Sequence, residues 1–246
     1  MDRVLYVAMA GAQQITTAQA INSNNLANLS TTGFRADLRA FESVPVYGPA
    51  LPSRVYAQTQ ANGVDLTPGP MQTTGRELDI AVQGEGYIAV QAPDGSEAYT
   101  RAGNLQISAL GQLRTGAGHV VLGSGGPMAI PPNEKIDIGG DGTVSIRPLG
   151  QSAAALATVD RIKLVKIPAG DLMKGEDGLL RRVDGARAPE DATVRIASGV
   201  LEGSNVNAVD ALVNMISLSR HFEAAVKTMQ AAEENDRAAA QVLRLS

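Results

Sequence analysis

The stretch 23-SNNLANLSTTGF-34 decides how this chain is organised. It places Asn24, Asn25 and Asn28 among small and aliphatic residues and ends in Thr-Thr-Gly-Phe. A helix still closing an apolar stripe has no use for amides. A helix end does, because its last carbonyls lack intrahelical partners and an asparagine side chain can take them. The stretch therefore predicts that an N-terminal helix stops here and the chain turns away. Gly33 stands where a left-handed C-terminal residue is expected, with Phe34 able to fold back on the last turn.

Upstream, residues 2–29 contain no proline, and Leu5, Ala8, Ala12 and Ile15 recur at the spacing of one helix face. Ala18, Ile21, Asn25 and Asn28 continue a neighbouring stripe. Such a helix is about 40 Å long at ~1.5 Å per residue. Gly11 and the many amide and β-branched residues weaken it, so it is marginal unless neighbours cover it.

The opposite end of the chain repeats the pattern. From Val206 onward there is neither Gly nor Pro. The sequence predicts a long amphipathic helix, capped by Ser204, Asn205 or Asn207, with Asp210 placed as a capping-box acid. Val206, Val209, Val213 and Ile216 form one apolar ladder; Leu212, Met215, Phe222, Val226 and Met229 form a second, offset one. Glu223 with Lys227 and Glu233 with Arg237 are favourable i,i+4 pairs.

The middle differs. Residues 35–75 carry five prolines from Pro45 to Pro70 and predict an extended arm. Between residues 76 and 199, short β-type runs such as 86-GYIAVQ-91, 134-EKIDI-138 and 143-TVSIR-147 alternate with Asp-Gly and Gly-Gly turns. This pattern predicts an all-β sandwich or barrel-like domain, with 151-QSAAALA-157 separating two β parts. The expected fold class is α+β. Helical segments 1–34 and 200–246 are expected to flank arm 35–75 and β domain 76–199.

Composition removes several functions. The 246 residues carry a net charge of −4, which gives no general draw toward nucleic acid or anionic lipid. Five Tyr, three Phe and no Trp argue against base- or sugar-stacking platforms. No cysteine is present, which excludes disulfides and cysteine-ligated metals. No run approaches a membrane-spanning length, and residues 1–14 lack the pattern of a signal peptide.

Catalytic chemistry is poorly supported too. The two histidines, His119 and His221, are far apart in sequence and do not suggest a triad or a dual-histidine metal site. The loop 139-GGDGT-143 lacks the spaced ligands of a calcium loop and reads as a hairpin turn. Carboxylates at Glu85 and Asp94, or Asp177 and Asp184, could form a glycosidase pair only if folding set them at the right separation. No cofactor is expected.

Taken together, 24-NNLANLSTTGFRA-36 and 201-LEGSNVNAVDALVNMISLSRHFEAAVKTMQAAEEND-236 resemble the paired terminal motifs of the bacterial flagellar rod and hook family. The intervening 75-GRELDIAVQGEGYIAVQAPDGSEAYTRAGNLQISALGQLRT-115 resembles that family's β domain. Within the family, 1-MDRVLYVAMAGA-12, 66-LTPGPMQTTGRELDIAVQGEGY-87 and 198-SGVLEGSNVN-207 resemble the proximal-rod branch most. A departure at 29-LST-31, where many members carry a Val-Asn-Thr-like step, is conservative.

The resemblance implies a structural rod subunit of the basal body. Such a subunit is expected to be exported unfolded through the flagellar type III apparatus and to assemble with itself, other proximal rod subunits and the distal rod protein across the periplasm, its terminal helices paired as a coiled coil in a helical tube with β domains outside. Subunit contacts are then expected at Leu5, Ala8, Ala12 and Ile15; at Asn24, Asn25, Leu26, Asn28, Gly33 and Phe34; at Leu201, Gly203, Asn205 and Val206; and at Val209, Val213, Ile216, Phe222, Val226 and Met229. Two rivals stand beside it: a β-rich wall-binding protein or hydrolase, and a coiled-coil scaffold unrelated to flagella.

Overall fold

A computed structural model describes residues 2–45, 55–150 and 156–244. The chain divides into two compact units. One holds Met1–Asn28, Asp37–Gly63 and Val206–Ser246; the other holds Leu29–Ala36 and Val64–Asn205.

The helical unit is built on α1 (Asp2–Ala27) and α2 (Ala208–Arg244), which pack against each other. Among the described residues, their buried side chains are alanines: Ala12 and Ala18 on α1, Ala211 and Ala232 on α2. Small residues at a helix contact allow the backbones to come close. One consequence is the bond from Asn22 Nδ2 to the Ala211 carbonyl at 2.7 Å. The start of α2 is set by Asn207, whose Oδ1 accepts from the Val209 amide at 2.9 Å. Asn207 is thus the N-cap, with Asp210 in the first turn where the helix dipole favours an anion. Glu233 and Arg237 pair along α2.

The first helix ends at Ala27, earlier than Gly33 suggested. The amides end it. Asn28 Nδ2 donates to the Asn24 carbonyl at 3.0 Å. Asn25 grips the returning chain from both sides of its amide: Oδ1 accepts from Asp37 N at 3.0 Å, and Nδ2 donates to Asp37 O at 3.1 Å. Only a carboxamide offers a donor and an acceptor in that geometry; an aspartate could only accept. Gly33 is therefore not the helix cap.

The segment read as an extended arm contains strands. Asp37–Pro45 pairs with Val55–Val64, and Met71–Thr73 pairs with Val200–Glu202. Proline tolerates strand ends and edges, and Pro45 closes its strand. Pro49 and Pro52 lie outside the described residues.

The β body is centred on the strand Tyr87–Gln91 in a nine-stranded sheet. This strand is buried on both faces. Ile88 and Val90 enter one hydrophobic cluster, while Tyr87 and Ala89 enter another with Tyr99, Val165 and Leu180. A strand with two covered faces needs no polar alternation, which explains the continuous run 87-YIAV-90. A three-stranded sheet (Asn133–Ile138, Thr143–Pro148, Ala157–Arg161) does alternate. Its Ile136, Ile138, Val144 and Ile146 join the first cluster, and Lys135 and Asp137 point away from it. The 139–142 loop is the expected hairpin turn: Gly139 N donates to Thr143 O at 2.9 Å, and Gly142 has φ +89°. Most of the Ala-rich separator at 151–157 lies outside the described residues.

Within the second cluster, Tyr99 donates its hydroxyl to Glu97 Oε1 at 3.0 Å and accepts from Ala188 N at 2.7 Å. Burial, its largest cause, pushes that hydroxyl from 10 up to about 12. A raised folded-state value means that the neutral hydroxyl contributes stability that is complete below pH 10 and lost as pH rises toward 12. Tyr99→Phe is expected to flatten the alkaline fall in stability across that window, measured by denaturant unfolding at a series of pH values.

Candidate functional site

Two features concentrate unusual chemistry, one in each unit. In the β body, Glu202 is fully buried and held by two buried arginines. Arg35 Nη2 donates to its Oε1 at 2.6 Å and Arg101 Nη1 to its Oε2 at 3.1 Å; the Gly69 amide adds a third bond, to Oε1 at 3.0 Å. Each arginine is also tied to backbone: Arg35 to Thr67 O at 2.8 Å, Arg101 to Gly84 O at 2.6 Å. The Arg101 guanidinium lies 5.2 Å from the Tyr87 ring centre. Burial lowers the Arg101 pKa, against the opposing pull of Glu202, and pushes the Tyr87 hydroxyl up.

Why these residues meet follows from the backbone. The Glu202 carbonyl accepts from Gly33 N at 2.8 Å, placing the stretch that follows α1 beside the stretch that precedes α2. Gly33 has φ +67°, and a Cβ there would sit 2.3 Å from the Arg101 carbonyl carbon. No other residue fits. Asn205 ties three passes of chain together. Its Oδ1 accepts from Ala36 N at 2.8 Å, while Nδ2 donates to Asp65 O at 2.9 Å and Thr67 O at 3.1 Å. Lys174 Nζ lies 4.1 Å from the Phe34 ring centre and donates to Arg35 O at 2.8 Å. The result is a clasp that gathers the segments leading to the helices.

Sequence reasoning named Gly33, Phe34, Gly203 and Asn205 from this clasp and missed Arg35, Arg101 and Glu202. Arg35 and Glu202 are 167 positions apart, so no local spacing could join them. The one available signal was a lone glutamate beside Gly203 in an apolar setting.

In the helical unit, the expected contact residues separate by exposure. Ala12 is buried, and Ala8, Ile15, Leu26, Val226 and Met229 are half-buried. Leu5 and Phe222 are exposed. On α2, Val209, Val213 and Ile216 of the first ladder face outward, 67%, 59% and 56% exposed, as does Leu212 of the second at 49%. On α1, Val4, Tyr6 and Met9 are exposed as well. Leu201 pairs with Gln72 in its strand, and Gly203 N donates to Pro70 O at 2.8 Å.

The carboxylates considered for catalysis do not form pairs suited to acid–base work. Glu85 is held by Lys166 at 2.8 Å and Asp177 by Arg181 at 2.6 Å. Asp94 accepts from Ser96, and Asp184 from Arg182 at 2.5 Å. The pKa values of Glu85, Asp94 and Asp177 are lowered, chiefly by those side-chain partners, where a general acid needs a raised one. Among the described residues no cluster of three or more His, Asp or Glu is placed to hold a metal, and no helix is long and apolar enough to cross a membrane.

Three family models match the chain. Residues 5–35 match the flagella basal body rod protein family, 81–146 the flagellar hook protein FlgE/F/G D1 domain, and 197–242 the C-terminal domain of flagellar basal body rod FlgEFG proteins. The chain is 45% identical over its full length to the full-length flagellar basal-body rod protein FlgF of Escherichia coli (strain K12), and 43% to that of Salmonella typhimurium. Likeness to the rod protein FlgG of Bacillus subtilis is lower, 31% over 95% of the chain and 96% of that protein.

The chain thus belongs to the flagellar basal-body rod protein family and is a structural subunit of the basal-body rod. Within that family it is FlgF-like. Membership implies assembly with other rod proteins, FlgG among them.

Proposed function

We propose that α1 and α2 pair as a coiled coil and stack head-to-tail with like helices, building the proximal part of a helical shaft that crosses the periplasm and carries torque. The observation that carries this is the outward face of Val209, Leu212, Val213 and Ile216. Covering it is favourable by ~1 kcal/mol per side chain, and a single chain leaves it in water. No charged residue occurs between Val4 and Phe34, which suits a helix enclosed on all sides.

A head-to-tail contact that does not close into a ring yields a filament. Close-packed helices within it deform little, so rotation at one end reaches the other. Contacts between copies fall on Leu5, Ala8, Ile15, Asn24, Asn25, Leu26 and Asn28 of the α1 segment, Ala12 being buried within its own chain. On the α2 segment they fall on Val206, Val209, Val213, Ile216, Phe222, Val226 and Met229. Gly33, Phe34, Leu201, Gly203 and Asn205 are engaged within their own chain. Delivery is by the flagellar type III export apparatus, with FlgG as a neighbour along the axis. The FlgG likeness supports a second reading, a subunit of the distal rod.

Images of isolated basal bodies carrying a tagged chain decide the matter: density at the proximal level supports the first reading, distal density the second. Asn25→Ala with Asn28→Ala is expected to leave secretion intact and reduce rod assembly, because the grip on Asp37 is lost at a cost of about 1–3 kcal/mol. Motility halos and assays of exported protein measure the two effects separately. Wild-type rods in that double variant would count against a role for these amides.

A further inference from the structure

Residues 194–205 are the last part of the β body to appear in the sequence, yet almost everything they touch is much earlier. Arg195–Ser198 pairs with Ile80–Gln83, and Val200–Glu202 pairs with Met71–Thr73. Val194 and Ile196 fill the main hydrophobic cluster. Glu202 supplies the one carboxylate that meets Arg35 and Arg101 among the described residues. These guanidiniums are 3% and 5% exposed, and the backbone carbonyls around them cannot cancel their charge. Without Glu202 the body would have to bury two like charges.

We infer that residues 194–205 form a closing strap and that Glu202 is its lock: the body stays open along the 71–73 and 80–83 edges until Glu202 docks between the two arginines. The strap is followed directly by α2, so closure waits for nearly the whole chain. A chain delivered N-terminus first would keep its body open until residue 205 had emerged. The lock works by charge, so its parts are interchangeable in a defined way. Glu202→Gln keeps the shape but leaves both cations unpaired. Arg35→Met, Glu202→Leu and Arg101→Met together remove every charge and keep comparable volume, a replacement that buried ion clusters often tolerate.

Hydrogen exchange on the full-length chain tests this. In the wild type, amides of the two strap ladders should exchange as one unit, faster than those of Tyr87–Gln91. In Glu202→Gln, exchange of the strap ladders should rise by on the order of 100-fold or more, with Asn133–Ile138 and Thr143–Pro148 changed several-fold at most. The triple variant should return the strap to near wild-type protection. Equal protection of strap and central strand in the wild type would overturn the proposal. So would a uniform rise across all strands in Glu202→Gln, or a triple variant as open as the single one. Should Glu202→Gln fail to accumulate, the wild-type and triple-variant measurements still decide the question.

Discussion

A chain carrying Val213→Glu and Ile216→Glu is expected to fold normally when purified and to fail to build a rod. Both positions are more than half exposed, so a carboxylate there stays hydrated in the single chain. Its melting temperature should move by only a few degrees, the usual scale for surface changes. In the proposed shaft the same carboxylates enter an apolar contact between helices, where an unpaired charge costs several kcal/mol. Every 1.4 kcal/mol is tenfold in affinity, so incorporation should fall by roughly a thousandfold or more. Complementation of a deletion strain, scored by motility halos and by images of basal bodies, should give the null phenotype. Motility restored to the wild-type level would remove this face of α2 from the assembly.

The second large effect falls on Gly33. Alanine there meets two penalties at once: a φ of +67°, and a methyl group 2.3 Å from the Arg101 carbonyl carbon and 2.4 Å from the Ala102 nitrogen. The opposing atoms are backbone and cannot swing aside. Relief requires moving the 29–36 segment, which breaks the bond from Gly33 N to the Glu202 carbonyl. A left-handed alanine alone costs about 1–2 kcal/mol. With the displaced clasp the total should reach on the order of 3–5 kcal/mol, or ~10 °C in melting temperature. Gly11→Ala is the matched control. Gly11 lies inside α1 with nothing within 4 Å of its would-be Cβ, so alanine should stabilise the helix by up to about 1 kcal/mol. Two melts, one per variant, should shift in opposite directions. Equal shifts would mean that the close approach at Arg101 does not constrain the chain.

Local chemistry made part of this protein legible from its sequence. Both helices follow from spacing and from the absence of proline, and Asn207 with Asp210 marked the start of α2. Strands 87–91, 133–138 and 143–148 lay where β-branched runs met Gly turns. What escaped was anything joined by distant positions. Gly33 looked like a helix cap because a left-handed glycine after a helix usually is one; its conformation is instead demanded by Arg101, far along the chain. The strands at 37–45 and 55–64 were hidden behind the prolines of this segment, of which Pro45 closes its strand. The cluster of Arg35, Arg101 and Glu202 was invisible because charge neutralisation in a core depends on topology. Among the contact residues, hydrophobic spacing marked the α2 ladders, but whether a ladder turns inward or outward is set by which face α1 covers.

The chain's lack of cysteine permits the most direct test of the central claim. A single Val213→Cys provides one maleimide-reactive site, on the exposed ladder of α2. The account predicts rapid labelling in the purified chain, and labelling slowed on the order of 100-fold in isolated basal bodies, where neighbouring helices cover the thiol. Equal labelling rates in the two preparations would contradict it.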